Sequence, residues 1–185
     1  MRSLVNEELS MATNDKNNVI PSSLELMGEG PAYKAKLCRM LKKTGMFEDF
    51  SSLEIETLAK YMDAYTAQKG TAICIEGAAA HFMAIIDAGR LEIFKDSGRG
   101  KTKKITEVGA GNSIGEMSLI DGLPRSATAV AIEPVTLIVL TSDNLQRIIQ
   151  QHPPLGTKLI WRSAQAISQR LRKASMMLAD ADYLD

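Results

Sequence analysis

Between Tyr61 and Leu140 the chain is cut by glycines into short β-prone runs: Thr71–Glu76, Phe82–Asp87, Arg90–Lys95, Lys103–Val108, Ser126–Ile132 and Val135–Leu140. Strand-forming runs at such close and even spacing, each bounded by turn residues, predict an antiparallel barrel or sandwich. Helical spacing brackets this region on both sides. From Ala32 to about Thr44, Leu37, Met40 and Leu41 recur among lysines, and Gly45 stands where a helix would stop. Ser51 or Ser52 is placed to cap a second, shorter helix with Glu54 in its first turn and Leu53, Leu58 and Met62 on its apolar side. Beyond the β-prone region, Thr141 or Ser142 caps a helix to about Gln151, Pro153 and Pro154 interrupt it, and a longer helix begins near Leu155. The expected fold is therefore mainly β with flanking helices, a pair of them at the C-terminal end.

Composition narrows the function classes. A chain of 185 residues suits one domain with some extra helix or tail. Lys+Arg and Asp+Glu are both 22, so bulk charge gives no case for nucleic acid or an anionic membrane as a partner. Hydrophobic residues make up 45% of the chain, yet no apolar run approaches the ~20 residues of a membrane span. Only Cys38 and Cys74 occur, and the polar start after Met1 does not read as a secretory core. These features point to a reducing, cytoplasmic setting. His81 and His152 lie far apart and far from any cysteine pair, so no metal site is expected. Residues 1–31 are rich in Asn, Ser, Glu and Asp and read as a mobile leader, although Ile20, Leu24, Leu26 and Met27 offer apolar anchors. The run from Ser97 to Lys104 reads as a basic hairpin tip, solvated or facing an acidic partner; it lacks the aromatic residues that stack on bases.

The chemistry is concentrated between Gly115 and Thr128, where the sequence is Gly-Glu-Met-Ser-Leu-Ile-Asp-Gly-Leu-Pro-Arg-Ser-Ala-Thr. Glycine lets a backbone approach a ligand closely, a helix start aims free N–H groups outward, and Arg125 supplies a positive charge. The stretch reads as an anion cradle. Glu116, lying beside a bound anion, needs a neutral polar partner, and a sugar hydroxyl meets that need.

Gly115-Glu116 followed by Pro124-Arg125-Ser126-Ala127-Thr128 resembles the phosphate-binding cassette of the cyclic nucleotide-binding domain, the module of catabolite activator-type regulators, cyclic-nucleotide-dependent kinase regulatory subunits and nucleotide-gated channels. The runs Lys69–Gly77 and Ile85–Ile93 resemble the same family, so the likeness extends from about Phe47 to Leu178. It implies an antiparallel β-roll or jelly-roll barrel and a role for each cassette position. Gly115 would bring its backbone to the ligand, and Glu116 would accept from the ribose 2′-hydroxyl. Met117 and Ser118 would turn backbone N–H groups toward the cyclic phosphate. Arg125 would pair with the phosphate, Ser126 would bond one of its oxygens, and Ala127 would offer its N–H. A polar side chain of the last helix would reach the base, and a gapped match puts that position near Ser175. Two positions depart from the family pattern: Ala78-Ala79-Ala80 replaces a more polar turn, and Asn112 stands where an acid is common.

In the last helix Ile160, Ala164, Ile167, Leu171, Ala174, Leu178 and Ala181 alternate steps of four and three. That stripe fits either a seam between two chains or a face laid on the barrel as a lid. Residues 153–185 are accordingly expected to be a lid or dimerisation helix, and 32–152 the helices and β-roll. The resemblance implies a sensor that binds a cyclic nucleotide, cyclic AMP first and cyclic GMP as the alternative, without changing it, and signals through that helix to an effector protein. Ser126 after the cassette arginine fits either base. No metal ligands or activated nucleophile suggest an enzyme. An interaction scaffold with a degenerate site, or a transcription regulator cut off before its DNA-binding domain, are the competing readings.

Overall fold

The computed structural model describes residues 20–79, 81–96 and 102–181, without the side chains of 180 and 181. The leader up to residue 19 and the tip residues 97–101 lie outside the described residues. In chain order the elements are β1 (Glu25–Leu26), α1 (Gly30–Lys43), a 3-10 turn (Gly45–Phe47), α2 (Ser52–Leu58), β2 (Asp63–Ala67), β3 (Ala72–Cys74), β4 (Phe82–Ala88), β5 (Arg90–Asp96), β6 (Thr102–Gly109), β7 (Ser113–Ile114), α3 (Glu116–Asp121), β8 (Thr128–Ala131), β9 (Val135–Thr141), α4 (Ser142–Gln151) and α5 (Pro153–Ala181).

The strands form two antiparallel sheets, one ordered β1-β2-β9-β4-β7 and the other β3-β8-β5-β6. Both runs at the centre of the first sheet are apolar on successive residues, and the packing explains why. Phe82, Ala84 and Ile86 of β4, with Val135, Leu137 and Val139 of β9, point between the sheets toward Ile73, Leu91 and Ala129. Met83, Ile85, Ile138 and Leu140 point the other way, into a second core with Leu37, Leu41, Leu58, Leu145, Ile148, Leu155 and Leu159 from the helices. A strand buried on both faces loses the alternation that marks a half-exposed one. Each fully buried leucine or isoleucine stabilises by about 1.5–3 kcal/mol, so the helical layer is as much a part of the fold as the sandwich.

The expected strands are all present, with ends moved by one or two residues. Three were not anticipated: β1, β2 and β7. Asp63-Ala64-Tyr65-Thr66-Ala67 carries no apolar run of its own and is held as β2 by five paired positions along β9, from Asp63 opposite Val139 to Ala67 opposite Val135. Of the residues assigned by sequence to the leader, 25–27 run alongside it and Gly30 and Pro31 open α1. Glu25 and Leu26 pair with Thr66 and Tyr65, the Met27 N–H donates to the Ala64 carbonyl at 2.9 Å, and Leu24 is buried.

Helix ends follow local chemistry. At α2 the Ser51 hydroxyl accepts from the Glu54 N–H while the Glu54 carboxylate accepts from the Ser51 N–H, a reciprocal capping box. At α4 the Thr141 hydroxyl accepts from the Asn144 N–H. Gly45 opens a 3-10 turn instead of ending α1, whose last position is Lys43 with Thr44 as cap. Pro153 begins α5 instead of only ending α4, which suits a residue whose missing N–H has no intrahelical partner in a first turn.

The first turns of α5 are fastened to the N-terminal helices. Lys158 donates to the Asp49 carbonyl at 2.6 Å, pairs with Glu54 at 3.2 Å and sits 4.3 Å from the centre of the Phe50 ring. Arg162 pairs with Asp49 at 2.7 Å. Leu155, Leu159 and Ser163 are buried one above another on the same face. Those anchors fix the rotation of the helix, and hence which later residues turn toward the cassette.

Candidate functional site

The site is built around α3 and the loop behind it. Ser113 and Ile114 of β7 pair with Ile85 and Ala84 of β4, which delivers Gly115 to the edge of the five-stranded sheet. Gly115 is the N-terminal cap of α3 with φ +83°, and Gly122 closes the helix with φ +70°. Both angles fall in the left-handed region that favours glycine. Gly115 is doubly constrained: a Cβ there would lie 2.8 Å from the Phe82 carbonyl oxygen and would collide with the Arg125 guanidinium. After α3 the chain returns through Leu123 and Pro124 to Arg125, whose N–H donates to the Ala78 carbonyl while its own carbonyl accepts from the Gly77 N–H, both at 2.9 Å. These bonds use only backbone, so Ala78 needs no polar side chain to make them. Asn112 likewise acts as a turn residue, its side-chain amide donating to the Gly109 carbonyl at 3.0 Å.

Arg125 is 5% exposed. Its Cζ lies 4.4 Å from the centre of the Phe82 ring, a cation–π contact. Neither terminal guanidinium nitrogen has a hydrogen-bond partner among the described residues. Burial pushes its pKa down from the ordinary value, against an upward pull from nearby Cys74 and Glu116. A guanidinium keeps its proton at any ordinary pH, so the chain holds a desolvated positive charge whose terminal nitrogens meet no acceptor among the described residues.

Glu116, the first residue of α3, is 1% exposed and has donors on both carboxylate oxygens. Its carboxylate accepts from the Ser113 hydroxyl and from both terminal nitrogens of Arg170, at 2.8 Å and 2.9 Å. Arg170 also donates to the Ser113 backbone carbonyl. Arg170 belongs to α5 and continues the face marked by Leu155, Leu159 and Ser163, so the anchors at the base of that helix aim it at the cassette. Neither Arg170 nor Ser113 stood out in the sequence.

The other expected positions divide clearly. Ser118 is buried beside Glu116, whereas Met117 is 48% exposed. Ser126 is exposed and Ala127 half-buried, with the Cys74 thiol 3.7 Å from the Ala127 carbonyl. Cys38 and Cys74 are both free. Ser175 is not brought to the cassette; it lies on the outer, exposed turns of α5 with its hydroxyl donating to the Leu171 carbonyl of its own helix. Along the stripe Ile160 borders a hollow with Leu119, Ile120 and Leu145 and Ile167 is half-buried, whereas Ala164, Leu171, Ala174 and Leu178 are exposed. Among the described residues no helix is long and apolar enough to cross a membrane, and no group of three or more His, Cys, Asp or Glu is placed to hold a metal ion.

Fold and site define a β-roll ligand-binding domain whose polar centre offers a cation and a carboxylate from one short segment. A family model, cyclic nucleotide-binding domain, matches residues 66–152. The crystal structure of a cyclic nucleotide-binding domain from Methylobacillus flagellatus is 33% identical, superimposes with a TM-score of 0.76, and is matched over 89% of its length and 86% of this chain. The chain belongs to the cyclic nucleotide-binding domain family. A CRP-like cAMP-activated global transcriptional regulator of Mycobacterium tuberculosis is 25% identical over 146 residues, 79% of this chain and 63% of that one. A cAMP-dependent protein kinase regulatory subunit of Yarrowia lipolytica is 28% identical over 109 residues, 59% of this chain and 28% of that one. The chain thus spans under two thirds of the length of either curated relative.

Proposed function

We propose that the chain is a sensor of a 3′,5′-cyclic purine nucleotide, cyclic AMP before cyclic GMP, that holds its ligand unchanged and acts on an effector protein in the cytoplasm. The observation that carries this reading is Arg125, a buried guanidinium whose terminal nitrogens have no acceptor among the described residues. The singly charged cyclic phosphate supplies the missing anion, and a planar guanidinium suits its oxygens as a bidentate donor. Gly115 is bare of a side chain where that anion would approach, and Ser126 and Ala127 follow directly in the chain. Glu116 is the acceptor for the ribose hydroxyl. The names of the relatives, cAMP-activated and cAMP-dependent, support cyclic AMP as the ligand to try first.

Output runs through α5, the element that touches the cassette and also projects beyond it. Leu171, Met176 and Leu178 are each more than 65% exposed on its outer turns. Such a patch suits a protein partner, either the effector or a second copy of the chain.

Calorimetric titration with cyclic AMP and cyclic GMP, beside Arg125→Ala, tests the reading. Saturable heat that the substitution abolishes is the expected result, with a loss on the order of 3 kcal/mol for a buried charge left unpaired. No heat with either nucleotide up to millimolar concentration, from a protein whose circular dichroism is that of a folded β-roll, refutes it.

A further inference from the structure

Past Arg125 the cassette runs through Ser126 and Ala127 into β8, and the oxygens along the way are tied one by one to the neighbouring turn and strand. The Arg125 carbonyl accepts from the Gly77 N–H and the Thr128 hydroxyl from the Glu76 N–H, both at 2.9 Å, and the Ala127 carbonyl meets the Cys74 thiol at 3.7 Å. Ser126 is held differently. Its carbonyl accepts from a side chain, the Lys95 ammonium, at 2.7 Å, which reaches it from the end of β5, 31 residues back in the chain. Lys95 is anchored in turn. It pairs with one Glu76 carboxylate oxygen at 2.5 Å, while the other accepts from the Asp96 N–H at 2.9 Å. Those bonds hold the Glu76 carboxyl below its ordinary range, so the pair is fully charged at neutral pH.

A trans peptide unit points its carbonyl and its N–H in opposite directions within one plane. The Ser126 carbonyl and the Ala127 N–H are the two ends of one such unit. A cation fixed on the carbonyl therefore fixes where the N–H points, and by polarising the unit it strengthens that N–H as a donor. We propose that Lys95 is a positioning residue for the nucleotide's phosphate: held by Glu76, it turns the Ser126–Ala127 peptide so that the Ala127 N–H is aimed at one of the two exocyclic phosphate oxygens. The inference rests on the nucleotide-sensor reading and adds to it a side chain outside the cassette that acts through the cassette backbone. Arg125 does not replace this aim. Its guanidinium fork serves both oxygens, whereas an N–H fixed in a peptide plane serves the one it faces. Lys95 thus contributes to telling the two oxygens apart, beyond its attraction for the anion.

Cyclic AMP and its two phosphorothioate analogues separate aim from charge. In each analogue sulfur replaces one or the other exocyclic oxygen, and sulfur is a weak acceptor for an N–H. All three are titrated calorimetrically into the wild-type chain, into Lys95→Met, which keeps an unbranched stem without the ammonium, and into Lys95→Arg, which keeps the charge and the donors. The wild-type chain should bind the two analogues with affinities about tenfold apart, one hydrogen bond's worth. Lys95→Met should bind cyclic AMP about fivefold more weakly and bring the analogues to within about threefold of each other. Lys95→Arg should restore both values, and Glu76→Gln, which loosens the lysine from behind, should move the ratio the same way by a smaller factor. The Lys95 side chain is 50% exposed, so the urea midpoint of Lys95→Met should stay close to that of wild type. An equal loss for all three ligands in Lys95→Met overturns the proposal, because a lysine that only attracts the anion does not distinguish its oxygens. A Lys95→Met chain that binds all three as wild type does overturns it too, as do two analogues bound equally by wild type; in each of these cases the sensor reading stands. If wild type binds none of the three, the sensor reading itself falls and carries the positioning role with it.

Discussion

The two corners of the candidate site handle a buried charge in opposite ways. At one, Arg125 is held under the cassette against Phe82 and Gly115 with no acceptor for its terminal nitrogens among the described residues. At the other, Glu116 is still more deeply buried but draws donors from β7 and from α5. An uncompensated charge costs stability in the free protein and returns that cost as affinity for a counter-ion. A compensated one stabilises the free protein and resists the ligand. On the proposed reading, affinity and restraint fall to different residues, and the restraint draws on different elements, β7 and α5.

The comparison breaks first at the residue both corners share. Gly115→Val puts a Cβ against the Phe82 carbonyl and the Arg125 guanidinium, at a φ that a β-branched residue avoids. It should lower stability by roughly 4 kcal/mol, the clash and the backbone strain together, and a urea unfolding midpoint measures it. Arg125→Met separates the corners sharply. Exchanging the unpaired guanidinium for an apolar chain of similar length should raise the stability of the ligand-free protein by about 1–3 kcal/mol while nucleotide binding is lost. Thermal unfolding with and without cyclic AMP gives both readings from one experiment. A ligand-free melting point that falls in Arg125→Met would mean that the guanidinium is satisfied in solution.

Glu116→Gln probes the compensated side. It leaves Ser113 and Arg170 with a weaker acceptor and should destabilise by about 1–2 kcal/mol, less than a fully buried pair because Arg170 can turn to water. Urea unfolding checks this, and a loss as large as that of Gly115→Val would contradict it. The smallest effect belongs to the anchors that aim Arg170. Hydrogen bonds from Arg162 hold the Asp49 carboxyl below its usual range, and the Ser51 N–H and Lys158 do the same for Glu54. For a depressed carboxyl the contribution to stability is present above the unfolded-state pKa and is lost as pH falls through the folded one. Attachment of α5 should therefore weaken below about pH 4, near the ordinary carboxylate values. The fluorescence of Trp161, the chain's single tryptophan, should report the change, and the Asp49→Asn variant should show a flatter profile.

Much of this molecule was legible in order along the chain. Local bonding settles a capping box, so Ser51 and Glu54 declare α2 before any tertiary contact forms. The six β-prone runs declare themselves because glycines and turn residues bound them. The cassette is legible for the same reason: Gly115, Glu116 and Arg125 lie within one loop and one short helix, and their spacing is their geometry. Strand β2 was not legible, since its residues are held by pairing with Val135–Val139 and not by an apolar pattern of their own.

By itself the sequence determined the β-roll with its flanking helices and the segment that would meet an anion. Only the tertiary structure decided what meets Glu116. Ser175 and Arg170 lie on the same long helix, and a helical stripe such as Ile160, Leu171 and Leu178 is apolar whether it faces a barrel or open solvent. The choice was made by Leu155, Leu159, Lys158 and Arg162, which pack and pair with partners as distant in sequence as Asp49 and thereby set the rotation of α5. Helix phase is a property of docking. No local spacing encodes it, and that is why Arg170 appears in the site only once the chain is folded.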